Sequence, residues 1–239
     1  AKLEGTTYWK SAQAREMFTP QTVIRLEGPR LKTYPEAHFL NYGLAWFLSD
    51  YRGKKIVQHG GNVDGMSAHI GLVPEEKLGV VILANKDFAL STRGLFLNIV
   101  DRYLGKTDHD RFAEMWDVEK ELRADIKTKE TDTLAKQVKD TKPSMPLDAY
   151  AGRYQSVLYG DARVEHADGK LTFSLGLQSG GLTHFHYDTF LVTWKNPVDG
   201  KALVRFPLTD LGKIAGVRLI ELDKPDQGDM NYVRVEKMP

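Results

Sequence analysis

The chain has 239 residues, 41% hydrophobic, 10% aromatic and 27% charged, the balance of a globular protein able to bury substantial cores. Lys and Arg total 33 against 32 Asp and Glu, and the resulting net charge of +1 excludes a strong generic attraction to nucleic acid or to an anionic membrane. Cysteine is absent, which excludes disulfides, thiolate metal sites and a cysteine nucleophile, and no apolar run reaches the roughly 18 residues of a spanning helix.

In chain order, Ala1 to Thr7 has no basic stretch followed by an apolar one, so it does not read as a signal peptide, and it lacks an initiator Met. Ser11 to Met17 predicts a short helix capped by Ser11 and stopped before Pro20. Tyr42 to Leu48 and Leu78 to Ala84 are apolar on both faces and predict strands covered on both sides. Lys55 to His59 and Met66 to Val73 lie between them, joined by the short connections Asp50-Tyr51-Arg52-Gly53 and Pro74-Glu75-Glu76-Lys77. Connections this short join antiparallel neighbours, so an antiparallel block of about four strands is expected within a layered domain. Ser91 to Leu104 then places Leu95, Phe96, Ile99, Val100, Tyr103 and Leu104 at helical spacing, ending at Gly105.

Residues 106–142 alternate charges around Phe112, Met115, Trp116, Leu122, Ile126, Leu134 and Val138, a pattern of one or two amphipathic helices whose charges form a solvated face. From residue 143 onward short alternating segments predict strands at Leu171–Leu175, Thr183–Tyr187, Thr189–Trp194, Leu203–Phe206, Val217–Leu222 and Tyr232–Val235. Asp168-Gly169, Gly180-Gly181, Asn196-Pro197, Asp199-Gly200 and Asp226-Gln227-Gly228 read as the turns. About eight strands in so short a stretch favour a small closed barrel. The fold class is therefore α+β: a partial antiparallel sheet with flanking helices over 1–105, a charged helical linker over 106–142, and a small all-β barrel over 143–239.

The most informative segment is Gln58-His59-Gly60-Gly61-Asn62-Val63-Asp64-Gly65-Met66, which keeps the chain slim between two apolar strands. A ligand can approach such a backbone closely, and a glycine-rich turn would give the same spacing. Its setting adds to it. Tyr42-Gly-Leu-Ala-Trp-Phe47, then His59-Gly-Gly61, then Gly71-Leu-Val-Pro-Glu-Glu-Lys-Leu-Gly-Val-Val-Ile-Leu-Ala-Asn-Lys-Asp87 together resemble the serine β-lactamase and penicillin-binding-protein superfamily, in its class C, carboxypeptidase and esterase-like branch. Phe18-Thr19-Pro20-Gln21 fits the Met-x-x-Pro stretch that precedes the family's core strand, and the resemblance covers about residues 1–105.

The resemblance implies a serine acyl-enzyme chemistry on an amide, ester or lactam, with no cofactor and no metal, and a small-molecule or peptide-like substrate. It would put His59 at the cationic or polar position facing the substrate, let Gly60 and Gly61 leave room, and make the Asn62 backbone N–H one of two oxyanion donors. The sequence departs from the family in one respect: it has no Ser-x-x-Lys and no Tyr-x-Asn, the motifs that carry the nucleophile and a further acid/base group. No catalytic residue is therefore assigned, and the expectation is that the chain is the carboxy-terminal part of a longer hydrolase, inactive alone. Its partner would be the missing amino-terminal half, or a second copy that covers an open sheet edge. The resemblance also suggests a periplasmic or secreted protein.

Tyr150-Ala-Gly-Arg-Tyr154, Asp168-Gly-Lys-Leu171 and Leu182-Thr-His-Phe-His-Tyr-Asp-Thr-Phe190 resemble a lipocalin-like barrel appended to such hydrolases. A barrel of this size fills its interior with side chains or holds one ligand, and the alternative reading of the chain is a scaffold whose barrel binds a small apolar molecule or a protein. His184 and His186 are spaced for one strand face but have no third ligand, and read as ordinary hydrogen-bonded histidines. Gly105-Lys106-Thr107 is not a phosphate loop, because Val100 stands at its first glycine.

Overall fold

The computed structural model describes residues 2–63, 65–222 and 228–235, so Asp64 of the glycine-rich segment and Asp226 and Gln227 of the expected turn lie outside the described residues. The chain divides into two compact units, Ala1–Leu122 and Arg123–Pro239.

In the first unit β1 (Lys2–Leu3) and β2 (Thr6–Thr7) form a small hairpin before α1 (Ser11–Met17). Ser11 is the first helical residue and not the cap: Lys10 holds that position, and its backbone N–H donates to Gln13 Oε1 at 2.8 Å. A glutamine reaching back from the third helical residue takes up the backbone N–H of the cap residue, which is the return half of a capping box. Next come β3 (Thr22–Ile24), α2 (Pro29–Thr33), β4 (Leu40–Tyr42), β5 (Phe47–Tyr51), β6 (Lys54–Val63), β7 (Met66–Val73), β8 (Leu78–Ala84) and α3 (Ser91–Tyr103). The strands form one antiparallel sheet in the order β3-β4-β5-β6-β7-β8, six strands where about four were expected.

Two expectations fail here for physical reasons. Tyr42 to Leu48 is not one strand but the end of β4, a tight turn and the start of β5. Gly43 N–H donates to the Trp46 carbonyl at 2.8 Å, Ala45 takes φ 65°, and a Cβ on Gly43 would lie 2.3 Å from the Met17 carbonyl oxygen. β8 is covered on one face only. Leu78, Val80 and Ile82 pack with Phe96, Leu97 and Val100 of α3, whereas Val81 and Leu83 on the other face are 65% and 79% exposed. α3 seats closely, since a Cβ on Gly71 would come within 2.3 Å of the Phe96 ring.

α4 (Arg111–Ala135) is one helix, and the boundary between the units falls inside it. Its charge is not all solvated. Arg111, Met115 and Glu119, spaced by four, are buried on one stripe. Arg111 Nε donates to Tyr51 Oη at 2.9 Å, the Tyr51 hydroxyl lies 2.9 Å from both Asp101 carboxylate oxygens, Arg52 Nε donates to Asp101 Oδ1 at 2.7 Å, and Glu119 pairs with Lys86. These groups fasten β5, α3 and the start of α4 through a buried polar network in which every charge has a partner.

The second unit is a closed eight-stranded antiparallel barrel: β9 (Gly152–Ser156), β10 (Gly160–Ala167), β11 (Lys170–Leu175), β12 (Gln178–His186), β13 (Thr189–Trp194), β14 (Lys201–Arg205), β15 (Gly216–Glu221) and β16 (Met230–Val235). β9 and β10 are the strands not individually predicted. The barrel closes where β16 pairs with β9, and Arg234 ties the seam by donating to the Ala149 and Ala151 carbonyls at 2.9 and 2.8 Å. Gly180-Gly181, expected as a turn, lies inside β12, where a Cβ on Gly180 would stand 2.4 Å from the Thr193 carbonyl oxygen. The interior is filled by Tyr150, Tyr154, Phe173, Phe190, Phe206 and Trp194, in edge-to-face and tilted ring contacts. His184 Nε2–H donates to the Tyr187 carbonyl at 2.9 Å, and His186 Nδ1 accepts from the Val138 N–H; a bulge separates the two histidines.

Candidate active site

β6 outlasts its neighbour. Its pairing with β5 ends at Phe47↔Gln58, while its pairing with β7 continues through Gly60↔His69, Gly61↔Ala68 and Asn62↔Ser67 to Val63↔Met66. From His59 onward one backbone edge of β6 thus has no strand partner among the described residues, and it borders a cleft of about 230 Å³. His59, Gly60, Gly61 and Asn62 all line that cleft. Gly61 has open space where a side chain would be, and Gly60 has only the Ala68 carbonyl and His69 Nδ1 at 3.4 Å from its missing Cβ.

Each side chain has a local cause for its position. The His59 ring stacks on Phe47 at 5.6 Å, and its Nε2 is 3.2 Å from Tyr42 Oη. The Asn62 side chain is tied back to β7: Asn62 Oδ1 lies 2.6 Å from Ser67 Oγ, which also reaches the Lys86 carbonyl at 2.7 Å and accepts from the Ala89 N–H at 3.0 Å. What Asn62 leaves to the cleft is its backbone.

The cleft has a polar floor that the sequence did not reveal. Gln58 and His69 alternate with the motif onto the face of the sheet that α3 covers, and Arg93 comes from the first turn of α3. They are 2%, 6% and 9% exposed, and both Gln58 amide atoms, His69 Nε2 and Arg93 Nε have no hydrogen-bond partner. The Arg93 guanidinium sits 3.5 Å over the Tyr34 ring and has no carboxylate beside it among the described residues. Burial presses its pKa below the usual arginine range, against the opposing pull of Tyr34. Burial also lowers His69 to about 4, with the charges of Arg93 and His59 acting in the same direction. A floor of unpartnered donors around a buried cation is suited to an anionic or strongly hydrogen-bonding group. The one advance signal is Arg93 in the first turn of α3, directly ahead of the apolar run Leu95-Phe96-Leu97.

Residues 11–99 match the family model described as Beta-lactamase, and residues 136–232 match a domain of unknown function, DUF3471. A protein of Aspergillus violaceofuscus named Unguisins hydrolase ungD is 32% identical over 151 residues, which is 54% of this chain and 24% of that protein. The chain thus spans about a quarter of the length of that curated relative. Among solved structures, the C-terminal domain of penicillin binding protein Rv0907 is 30% identical, with 41% of this chain and 94% of that one covered at a TM-score of 0.33. SurE with D-Leu is 16% identical over 95% of this chain and 44% of that one, TM-score 0.34, and the octameric penicillin-binding protein homologue from Pyrococcus abyssi is 19% identical over 87% and 39%, TM-score 0.32. The sheet that carries the His59-Gly60-Gly61 strand thus lies in a region similar to the β-lactamase and penicillin-binding-protein-like hydrolases, and the barrel lies in a region that matches a domain of unknown function.

Proposed function

We propose that this chain forms one wall of an acyl-transfer cleft that acts on an amide, ester or lactam carrying an anionic group. The observation that carries this reading is the unpaired β6 edge at His59–Asn62 beside the buried, carboxylate-free Arg93. In this assignment the Asn62 N–H donates to the developing oxyanion, where one such donor contributes about 3 kcal/mol to lowering the barrier. Gly60 and Gly61 admit the reacting carbonyl, His59 contacts the substrate from the side, and Arg93 with Gln58 and His69 takes its anionic group. The printed name of the Aspergillus relative supports hydrolysis as the reaction class. The serine and lysine of a Ser-x-x-Lys pair do not occur in these 239 residues, so the chain is assigned the electrostatic share of the chemistry and no nucleophile.

The test is a titration of the 15N-labelled protein with a carboxylate-bearing penicillin, followed through the amide signals of Gly60, Gly61 and Asn62. Saturable shifts that vanish in Arg93→Met, a change that leaves no buried cation unpaired, are expected. Shifts elsewhere only, or equal shifts in Arg93→Met, overturn the assignment. Intact-mass analysis of the same mixture is expected to show no covalent adduct; a stoichiometric adduct would place an activated serine in this chain.

The second reading, a scaffold whose barrel holds a small apolar ligand, has no support from the barrel interior, which is occupied by Phe173, Phe190, Phe206, Tyr154 and Tyr150.

A further inference from the structure

His59 is held from two sides, and only one of its nitrogens is used in doing so. Its ring lies against Phe47 with an interplanar angle of 28°, and Tyr42 approaches edge-on at 6.1 Å between centroids. The hydroxyl of Tyr42 meets Nε2 at 3.2 Å, while Nδ1 has no hydrogen-bond partner among the described residues. Tyr42 and Phe47 are directly cross-strand neighbours at the turn between β4 and β5, with rings 4.7 Å apart, so the two walls of this slot are themselves fixed to each other. Gly43, which follows Tyr42, can be nothing larger because of the Met17 carbonyl, and this fixes where β4 ends and where the Tyr42 ring projects.

A neutral imidazole has one donor nitrogen and one acceptor nitrogen, and which is which follows from the partner of either. A phenol hydroxyl is a good donor and an imidazole nitrogen a good acceptor. The hydroxyl of Tyr42 has no second acceptor competing for its proton among its hydrogen bonds. We propose that Tyr42 is a positioning residue: its O–H donates to His59 Nε2, fixing the proton of the ring on Nδ1 and presenting Nδ1–H to the cleft as a hydrogen-bond donor. The strand position that faces substrate is then served by an oriented neutral donor. This rests on the assignment of His59 to the substrate side of the cleft, and extends it by naming the atom and the residue that sets it.

The consequence is a ring that donates and does not abstract. A substrate oxygen, carbonyl or carboxylate, is what Nδ1–H can meet; an incoming proton donor finds no lone pair there. Loss of the Tyr42 hydroxyl frees both nitrogens, and the ring then populates both tautomers and presents the donor to the cleft only part of the time.

The experiment is long-range 1H–15N correlation of the full chain labelled at histidine, recorded at alkaline pH. For His59 a protonated, pyrrole-type Nδ1 and an unprotonated, pyridine-type Nε2 are expected in the wild type. In Tyr42→Phe the two signals should move toward each other as the tautomers mix, with the rest of the amide spectrum unchanged because both rings keep their packing. Phe47→Leu is the control: it loosens the slot but keeps the hydroxyl, so Nε2 should stay unprotonated. A wild-type His59 protonated on Nε2, or a tautomer identical in wild type and Tyr42→Phe, overturns the proposal. In the penicillin titration, Tyr42→Phe should weaken binding about two- to tenfold, the range expected when one hydrogen bond is partly lost. The tautomer is read without any ligand. A chain that binds no penicillin while Tyr42 still sets the tautomer therefore refutes the cleft assignment alone, and binding with an unchanged tautomer refutes the positioning alone.

Discussion

The barrel and the cleft side of the sheet are built from similar residues but settle their polar groups in opposite ways. In the barrel, Asp188 accepts from the Ser144 N–H at 2.9 Å, from Ser144 Oγ at 2.7 Å and from the Tyr150 hydroxyl. Tyr154 donates to the Tyr150 carbonyl at 2.6 Å, so polar groups at the edge of the aromatic core are consumed by it. Beneath Gly60, the Gln58 amide, His69 Nε2 and Arg93 Nε are buried and have no hydrogen-bond partner. A folded chain tolerates unpartnered buried groups only where the rest of the structure holds them in place, and such places are where ligands recover the lost hydrogen bonds. The unused hydrogen-bonding capacity at Gln58, His69 and Arg93 lies on the sheet side of that contrast.

Four changes sharpen or break that contrast. The largest effect belongs to the saturated region. Phe173→Ala, at a fully buried ring in the barrel, should destabilise the second unit by about 3–5 kcal/mol in urea unfolding followed by Trp194 fluorescence, and a loss under about 1 kcal/mol would show a barrel that is not close-packed.

Next comes the pH response of the cleft. His69 is held at about 4 in the folded state against an ordinary value near 6.5, so the unfolded chain binds the proton more readily. Stability from this group is fully present above pH 6.5 and is lost as pH falls toward 4, in total on the order of 3 kcal/mol. The difference in unfolding free energy between wild type and His69→Phe should change by most of that amount between pH 7 and 4.5; a difference that does not vary with pH would mean that His69 is open to water.

Gly71→Ala should cost about 1–3 kcal/mol, because the new methyl must displace the Phe96 ring. Thermal unfolding of the first unit measures it, and an unchanged midpoint would mean that α3 sits farther from β7. The smallest effect is expected of Leu83→Lys on the uncovered face of β8, within about 0.5 kcal/mol in the same assay. A large loss there would reveal that the face is covered in solution.

Much of the architecture was legible in the sequence, and the misses share a cause. Barrel strands such as Leu171-Thr-Phe-Ser-Leu175 announce themselves by alternation, since a half-buried strand must repeat every two residues. Gly180-Gly181 resembles a turn because glycine is also what a strand needs where another backbone presses on it, here Thr193. Tyr42 to Leu48 hides its turn because Ala45, and not a glycine or asparagine, takes the positive φ. In the cleft, His59 to Asn62 could be found as contiguous residues. Gln58, His69 and Arg93 could not be grouped, since what unites them is the β6–β7 register and the seat of α3, properties of the folded sheet alone.

The seam between β9 and β16 bears on how the protein is made. The first barrel strand finds one of its two partners only in Met230–Val235, so about eighty residues must be synthesised after β9 before the ring can close. During translation β9 and β10 wait with an open edge while the ribosome still holds β16 in its tunnel. Closure is then a late event in the chain's synthesis, and Arg234, which bonds to the carbonyls just ahead of β9, is the latch that completes it.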